Sequence, residues 1–274
     1  MEDKTIRMEE VKDPEIKVPE NTEAAAEKAP EEEDNRKIVV QFKKVTKKYK
    51  LYKNDKDRFR GLFRKKVEYK EKKALNKLSF TIRQGDSVAF LGRNGAGKST
   101  LLKIVTGVAF PTSGEVYVDG KVSALLELGA GFDVQATGRD NIYLRCSLMG
   151  MTNDEIKAVE QQIVDFADLD EYIDQPVRSY SSGMKARLGF AINVNAEPDI
   201  LIVDEALSVG DKEFKQKCIA KINDIMADES VTLLFVTHAL GTAREFCTRG
   251  IVLEKGKKKF EGDIDEAIAF YEAR

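Results

Sequence analysis

The apolar positions of this chain fall into short blocks separated by longer stretches of helical period. Ile38-Val39-Val40-Gln41-Phe42 and Leu78-Ser79-Phe80-Thr81-Ile82 are β-branched and aromatic runs of strand length, and they predict a small antiparallel layer. Three further blocks, SVAFL at 87–91, ILIVD at 200–204 and LLFVTH at 233–238, are apolar almost throughout and bounded by polar residues. That is the pattern of strands buried on both faces, as parallel sheets require. Helical patterns lie between them, including STLLKIVTG at 99–107, with Gly107 as its stop. Residues 138–195 read mainly as helix, with Thr152 and Glu155 spaced as a capping box. The expected fold is α/β: a parallel-sheet core over residues 37–262, a small antiparallel β layer, an inserted α-helical subdomain at about 131–195 and a C-terminal helix at 263–274. No internal repeat is visible.

Charge divides the chain further. Residues 1–36 hold thirteen Asp or Glu against six Lys or Arg and little apolar surface, which predicts a disordered acidic tail. Residues 50–73 hold eleven Lys or Arg and four Asp or Glu, and Phe59, Leu62 and Phe63 within them stand at helical spacing. This is read as a basic insertion carrying an amphipathic element; it is either a solvated surface segment or one that meets anionic lipid or a membrane partner. The net charge of −2 gives no long-range field of the kind a nucleic-acid binder uses, so no nucleic acid is expected. Cys146, Cys218 and Cys247 have neither metal-site nor disulfide-framework spacing. No run approaches the roughly 20 apolar residues of a membrane span, and the first residues lack the apolar core of a secretory signal, so the protein is expected to stay inside the cell.

Between the block at 87–91 and the helix at 99–107 stands Gly92-Arg93-Asn94-Gly95-Ala96-Gly97-Lys98-Ser99, which satisfies G-x-x-x-x-G-K-[ST]. Glycines let such a loop turn its backbone N–H groups inward around phosphate, and the helix behind it directs its positive end at the same anion. Lys98 is placed for the β- and γ-phosphates, Ser99 for Mg²⁺ and Thr100 for a further phosphate contact. Asp204 closes the block ILIVD, where a carboxylate suits Mg²⁺, and Glu205 follows it, placed to orient or deprotonate the attacking water. His238, the one histidine, ends LLFVTH and suits a γ-phosphate contact that also holds Glu205 and water in register.

Tyr180-Ser181-Ser182-Gly183-Met184, ahead of the helical run KARLGFAINVNA, resembles the signature segment of the ABC ATPases, usually written LSGGQ. The resemblance spans residues 37–262 and implies a P-loop ABC ATPase core. It further implies ATP and Mg²⁺ as cofactors and a head-to-tail dimer in which Ser181, Ser182 and Gly183 meet the γ-phosphate held by the other copy. Asp211 matches the aspartate of the family's D-loop. Where the family carries a glutamine that touches metal and couples to the membrane domain, Glu127 is the first choice here and Gln135 the second. Tyr49 matches the adenine-stacking aromatic, with Tyr52 as the alternative. The phrases SALLELGAGF and VDEALSVGD, with the basic stretch, are similar to the polysaccharide-exporter branch, whose members move lipid-linked teichoic acids or O-antigen chains outward. Wall teichoic acid export is the first expectation, and O-antigen, capsule or other lipid-linked glycan export the alternatives. The resemblance implies two copies of a separate integral-membrane permease, a lipid-linked polymer handled by the complex, and a peripheral position on the cytoplasmic face of the membrane. A soluble ABC ATPase acting on ribosomes or DNA is the rival of another class.

Overall fold

The computed structural model describes residues 34–57, 59, 68–125, 131–204, 211–237 and 239–274. The acidic stretch at 1–33, the centre of the basic segment with Leu62 and Phe63, and the positions of Glu127, Glu205 and His238 lie outside the described residues.

Two sheets share the work. The first is a three-stranded antiparallel layer of β1 (Ile38–Leu51), β2 (Lys70–Arg83) and β4 (Ser113–Val118), in the order β2-β1-β4. The second has six strands, β3 (Ser87–Leu91), β5 (Val122–Leu125), β6 (Ile200–Asp204), β7 (Thr232–Val236), β8 (Arg249–Glu254) and β9 (Lys257–Asp263), in the order β5-β6-β7-β3-β8-β9. Pairing is parallel from β5 through β8, and β9 is antiparallel at the edge.

Successive side chains of a strand point to opposite faces, and the two faces of this sheet feed different cores. Val88 and Phe90, Ile200 and Ile202, and Leu234 and Val236 face the antiparallel layer and helix α1 (Lys98–Val105), against Phe42, Leu75, Phe80 and Leu101. Ala89 and Leu91, Leu201 and Val203, and Leu233 and Phe235 face the other way, against Phe190 and Phe214. Burial on both faces is why these strands read as unbroken apolar blocks. A third core joins α2 (Gly138–Leu148), α3 (Asn153–Ala167) and the buried face of α4 (Ser182–Asn195), through Ile142, Ile156, Ile163 and Leu188. Both α2 and α3 open with a reciprocal capping box, Thr137 with Asp140 and Thr152 with Glu155. Such a box satisfies two of the N–H groups that a helix start leaves unbonded. The chain continues through α5 (Lys212–Met226), α6 (Leu240–Phe246) and α7 (Ile264–Glu272).

The basic segment at 50–73 is partly strand. β1 runs on to Leu51 and β2 begins at Lys70, paired as Lys50 with Glu71 and Leu51 with Lys70. The flanks of the supposed insertion are therefore an extended two-stranded arm. Its aromatic content is ordered there, with Tyr52 and Tyr69 ring centroids 5.7 Å apart and the Lys50 ammonium 4.7 Å from the Tyr69 ring centre.

Candidate functional site

The carboxyl ends of the parallel strands define the site. Register pairs Asp204 with Val236 and Val236 with Phe90, so β6, β7 and β3 end in one row and the loop beginning at Gly92 leaves from that edge. Ligands of open α/β sheets bind at such an edge. A cleft of about 430 Å³ opens there. Its wall takes in Arg93 through Thr100 on one side, Asp204 and Val236 at the floor, and Tyr49, Leu51, Lys72 and Ala74 from the antiparallel layer.

The loop is held by its own backbone. Ala96 N–H donates to the Arg93 carbonyl at 3.0 Å, Gly256 N–H donates to the Ala96 carbonyl at 2.8 Å, and the buried Lys98 ammonium donates to the Gly92 carbonyl. At Gly97 φ is +114°, and an added Cβ would stand 2.7 Å from the Ala74 carbonyl oxygen. Only glycine both adopts that backbone and allows the approach of β2. Helix α1 starts at Lys98, so its unbonded N–H groups face the cleft beside Ser99 and Thr100.

Among the described residues the structure brings Tyr49, the whole 93–100 loop and Asp204 to one cavity. Gly92 sits behind it, its φ of +155° and an added Cβ 2.5 Å from the Leu253 carbonyl oxygen leaving room for no side chain. Tyr52 and Gln135 are not among the residues lining the cleft; Tyr52 sits farther along the arm against Tyr69, and Gln135 is an exposed residue whose backbone N–H donates to Asp133 at 2.9 Å. Tyr49 is half-exposed, with the Lys47 ammonium 5.2 Å from its ring centre.

Ser181 to Gly183 do not line the cleft. They form the start of α4, where Ser181 is the N-cap and its hydroxyl accepts the Met184 N–H at 3.2 Å. Ser181 and Ser182 are exposed, so the free N–H groups of this helix end face outward. Tyr180 is buried instead, its hydroxyl donating to the Tyr172 carbonyl at 2.6 Å. Asp211 is the N-cap of α5 and accepts the Phe214 N–H at 2.9 Å; that bond, with Arg187 nearby, holds its carboxyl below the ordinary value of 3.8.

Sequence motifs pass over two residues that the structure places. Arg187, in the second turn of α4, bridges Asp211 and Asp168 (3.2 Å) and lies 5.0 Å from the Phe214 ring centre, tying α4 to the start of α5. Lys72 reaches the cleft because register sets it opposite Tyr49. The signal for either is spatial pairing, which a motif does not carry.

Comparison with known proteins gives the geometry its family. A family profile described as ABC transporter matches residues 75–208. The teichoic acids export ATP-binding protein TagH of Staphylococcus saprophyticus is 43% identical over 235 residues, 86% of this chain and 88% of that protein. The chain belongs to the ABC transporter ATP-binding proteins. TagH of Bacillus cereus is also 43% identical over 235 residues, but this ABC chain spans only 42% of its length. The fold is likewise that of ABC cassettes. A dimeric, post-hydrolysis structure of the ATP-binding cassette MJ0796 bound to ADP and Pi superposes with a TM-score of 0.66 at 23% identity, covering 82% of this chain and 99% of that one. The α/β expectation, with its parallel sheet and small antiparallel layer, is borne out. Among the described residues no helix is long and apolar enough to cross a membrane.

Proposed function

We propose that this chain is the ATP-hydrolysing subunit of an ABC exporter that moves a lipid-linked cell-envelope polymer, wall teichoic acid, across the cytoplasmic membrane. The observation that carries the chemical part is the single cleft shared by Lys98, Ser99, Asp204 and Tyr49 at the carboxyl edge of the sheet. The teichoic acid part rests on the identity to TagH.

In this reading the triphosphate lies on the loop amides and the α1 N-terminus, the Lys98 ammonium exchanges the Gly92 carbonyl for phosphate oxygens, and the base stacks on Tyr49. Ser99 and Asp204 offer a hydroxyl and a carboxylate. Such hard oxygen donors suit Mg²⁺, which is ordinarily held by one or two carboxylates plus substrate phosphates rather than by a dedicated protein cage. The ion supplies charge neutralisation on the phosphates. Glu205, next in sequence to Asp204, takes the proton of the attacking water, and His238 holds that water and the γ-phosphate in register. A second copy supplies Ser181, Ser182 and Gly183 to the γ-phosphate, which fits a helix start that is exposed and does not line its own cleft. Asp211 belongs to the same dimer contact, and Glu127, or Gln135 in second place, fills the metal-touching and coupling role. The chain works at the cytoplasmic face as a peripheral subunit of a separate permease present in two copies. ATP-driven closure of the cassette pair does work only where it changes contacts with that permease.

The test is ATP hydrolysis by the chain co-purified with its membrane partner in lipid vesicles. Lipid-linked teichoic acid precursor should raise the rate several-fold, whereas lipid-linked O-antigen or capsule precursor should not. Stimulation by ribosomes or DNA in its place would overturn the assignment.

A further inference from the structure

Lys72 stands on the wall of the nucleotide cleft without a role in any motif. It is an exposed residue of β2, directly opposite Tyr49 in the antiparallel pairing. Directly opposed residues of such a pair place their Cβ atoms about 4.5–5.5 Å apart. The Lys72 side chain therefore leaves β2 beside the ring assigned to the base.

The strand is anchored a short distance away. Ala74, skipped where the register shifts between Lys47–Leu75 and Lys48–Lys73, presses its carbonyl against Gly97. Asn76 N–H donates to the Gly256 carbonyl at 2.8 Å, and Gly256 N–H donates in turn to Ala96 at 2.8 Å. β2 is thus fixed to the phosphate loop at 74–76. Two residues of strand span about 7 Å, so Lys72 lies between the loop that cradles the triphosphate and the tyrosine that takes the base. The phosphate at the base-facing end of that loop is the α-phosphate, next to the ribose.

Four neighbouring cations are already engaged. Lys47 donates to the Phe110 carbonyl at 2.7 Å, Lys48 pairs with Glu71 at 3.0 Å, Lys50 lies on Tyr69, and Lys53 faces Glu68 at 3.6 Å. Among the described residues no carboxylate pairs with Lys72. We propose that Lys72 is a nucleotide-binding residue whose ammonium pairs with the α-phosphate. This assignment rests on the cleft being the ATP site. It predicts a contribution shared by ATP, ADP and GTP, since all three carry that phosphate, and one that falls with salt because the side chain is exposed.

The experiment is calorimetric titration of the full chain, with Mg²⁺ present, by ATP, ADP and GTP. Lys72→Gln should weaken each by a similar factor, about three- to fivefold, as an exposed charge pair allows. Lys72→Arg should restore binding to within about twofold, and the Lys72→Gln loss should shrink at high salt. Lys73→Gln, the same charge change one residue along, should leave all three affinities unaltered. Lys98→Ala should abolish binding if the cleft is the nucleotide site at all. Normal binding by Lys98→Ala would refute the site itself. Loss in Lys98→Ala with no change in Lys72→Gln, an equal loss in Lys73→Gln, or an effect confined to ATP or to GTP would overturn the Lys72 assignment alone.

Discussion

The contact between Gly97 and β2 can be tested through stability. Gly97→Ala introduces two separate penalties. Its φ of +114° is a backbone state that a side chain occupies at a cost of about 1–3 kcal/mol. The new methyl also meets the Ala74 carbonyl oxygen at 2.7 Å and the Leu75 side chain at 2.9 Å. The leucine end can swing, but the carbonyl belongs to a strand held through Gly256, so relief requires a backbone shift costing about 1–3 kcal/mol more. The sum is about 2–6 kcal/mol. Gly95→Ala is the matched control, since its φ of +80° carries the strain while a methyl there has nothing within 4 Å. For a domain of this size each kcal/mol moves Tm by about 2–4 °C. Differential scanning calorimetry without nucleotide should therefore find Gly97→Ala melting several degrees below Gly95→Ala. Equal melting temperatures would mean that the loop is not braced by β2, and would remove the anchor from which the position of Lys72 is argued.

Other consequences follow from the same geometry. Tyr49→Ala should weaken ATP by about 1–3 kcal/mol as read by titration, while Tyr49→Phe retains most of the affinity because stacking uses the ring face; equal losses would assign the contact to the hydroxyl. Asp211→Asn keeps an N-cap acceptor and loses the charge facing Arg187, so by urea denaturation it should destabilise less than Asp211→Ala, which loses the cap as well. The Asp211 carboxyl is held low in the folded state by the Phe214 N–H and Arg187, so its stabilisation is present above the ordinary carboxylate value of 3.8 and is lost as pH falls through the depressed folded value. The stability gap between wild type and Asp211→Asn should accordingly close only in acid.

How much was legible in the sequence depended on what each residue packs against. The strands β3, β6 and β7 are buried on both faces, so their apolar blocks announce them. Thr152 with Glu155 reads as a capping box, while Thr137 with Asp140 makes the same reciprocal bonds with a shorter acid that the usual pattern omits. The arm of β1 and β2 past Tyr49 is exposed on both faces, so KYKL and KEKK carry no alternation to mark them as strand. That is why the strand flanks of the basic segment leave no mark in the sequence. The order β5-β6-β7-β3-β8-β9 was equally hidden, because short apolar blocks of similar composition do not encode which neighbours pair. At the site, the phosphate loop and Asp204 are local motifs, whereas Lys72 and Arg187 gain meaning only from cross-strand and interhelical contacts.

The central claim is that this cleft hydrolyses ATP through the carboxylate that follows β6. The most direct measurement compares ATP affinity and steady-state turnover for wild type and Glu205→Gln in the permease complex. The account predicts that Glu205→Gln binds ATP as tightly as wild type and loses turnover by about two orders of magnitude or more, as removal of a general base does. Turnover at the wild-type rate with binding intact would contradict it.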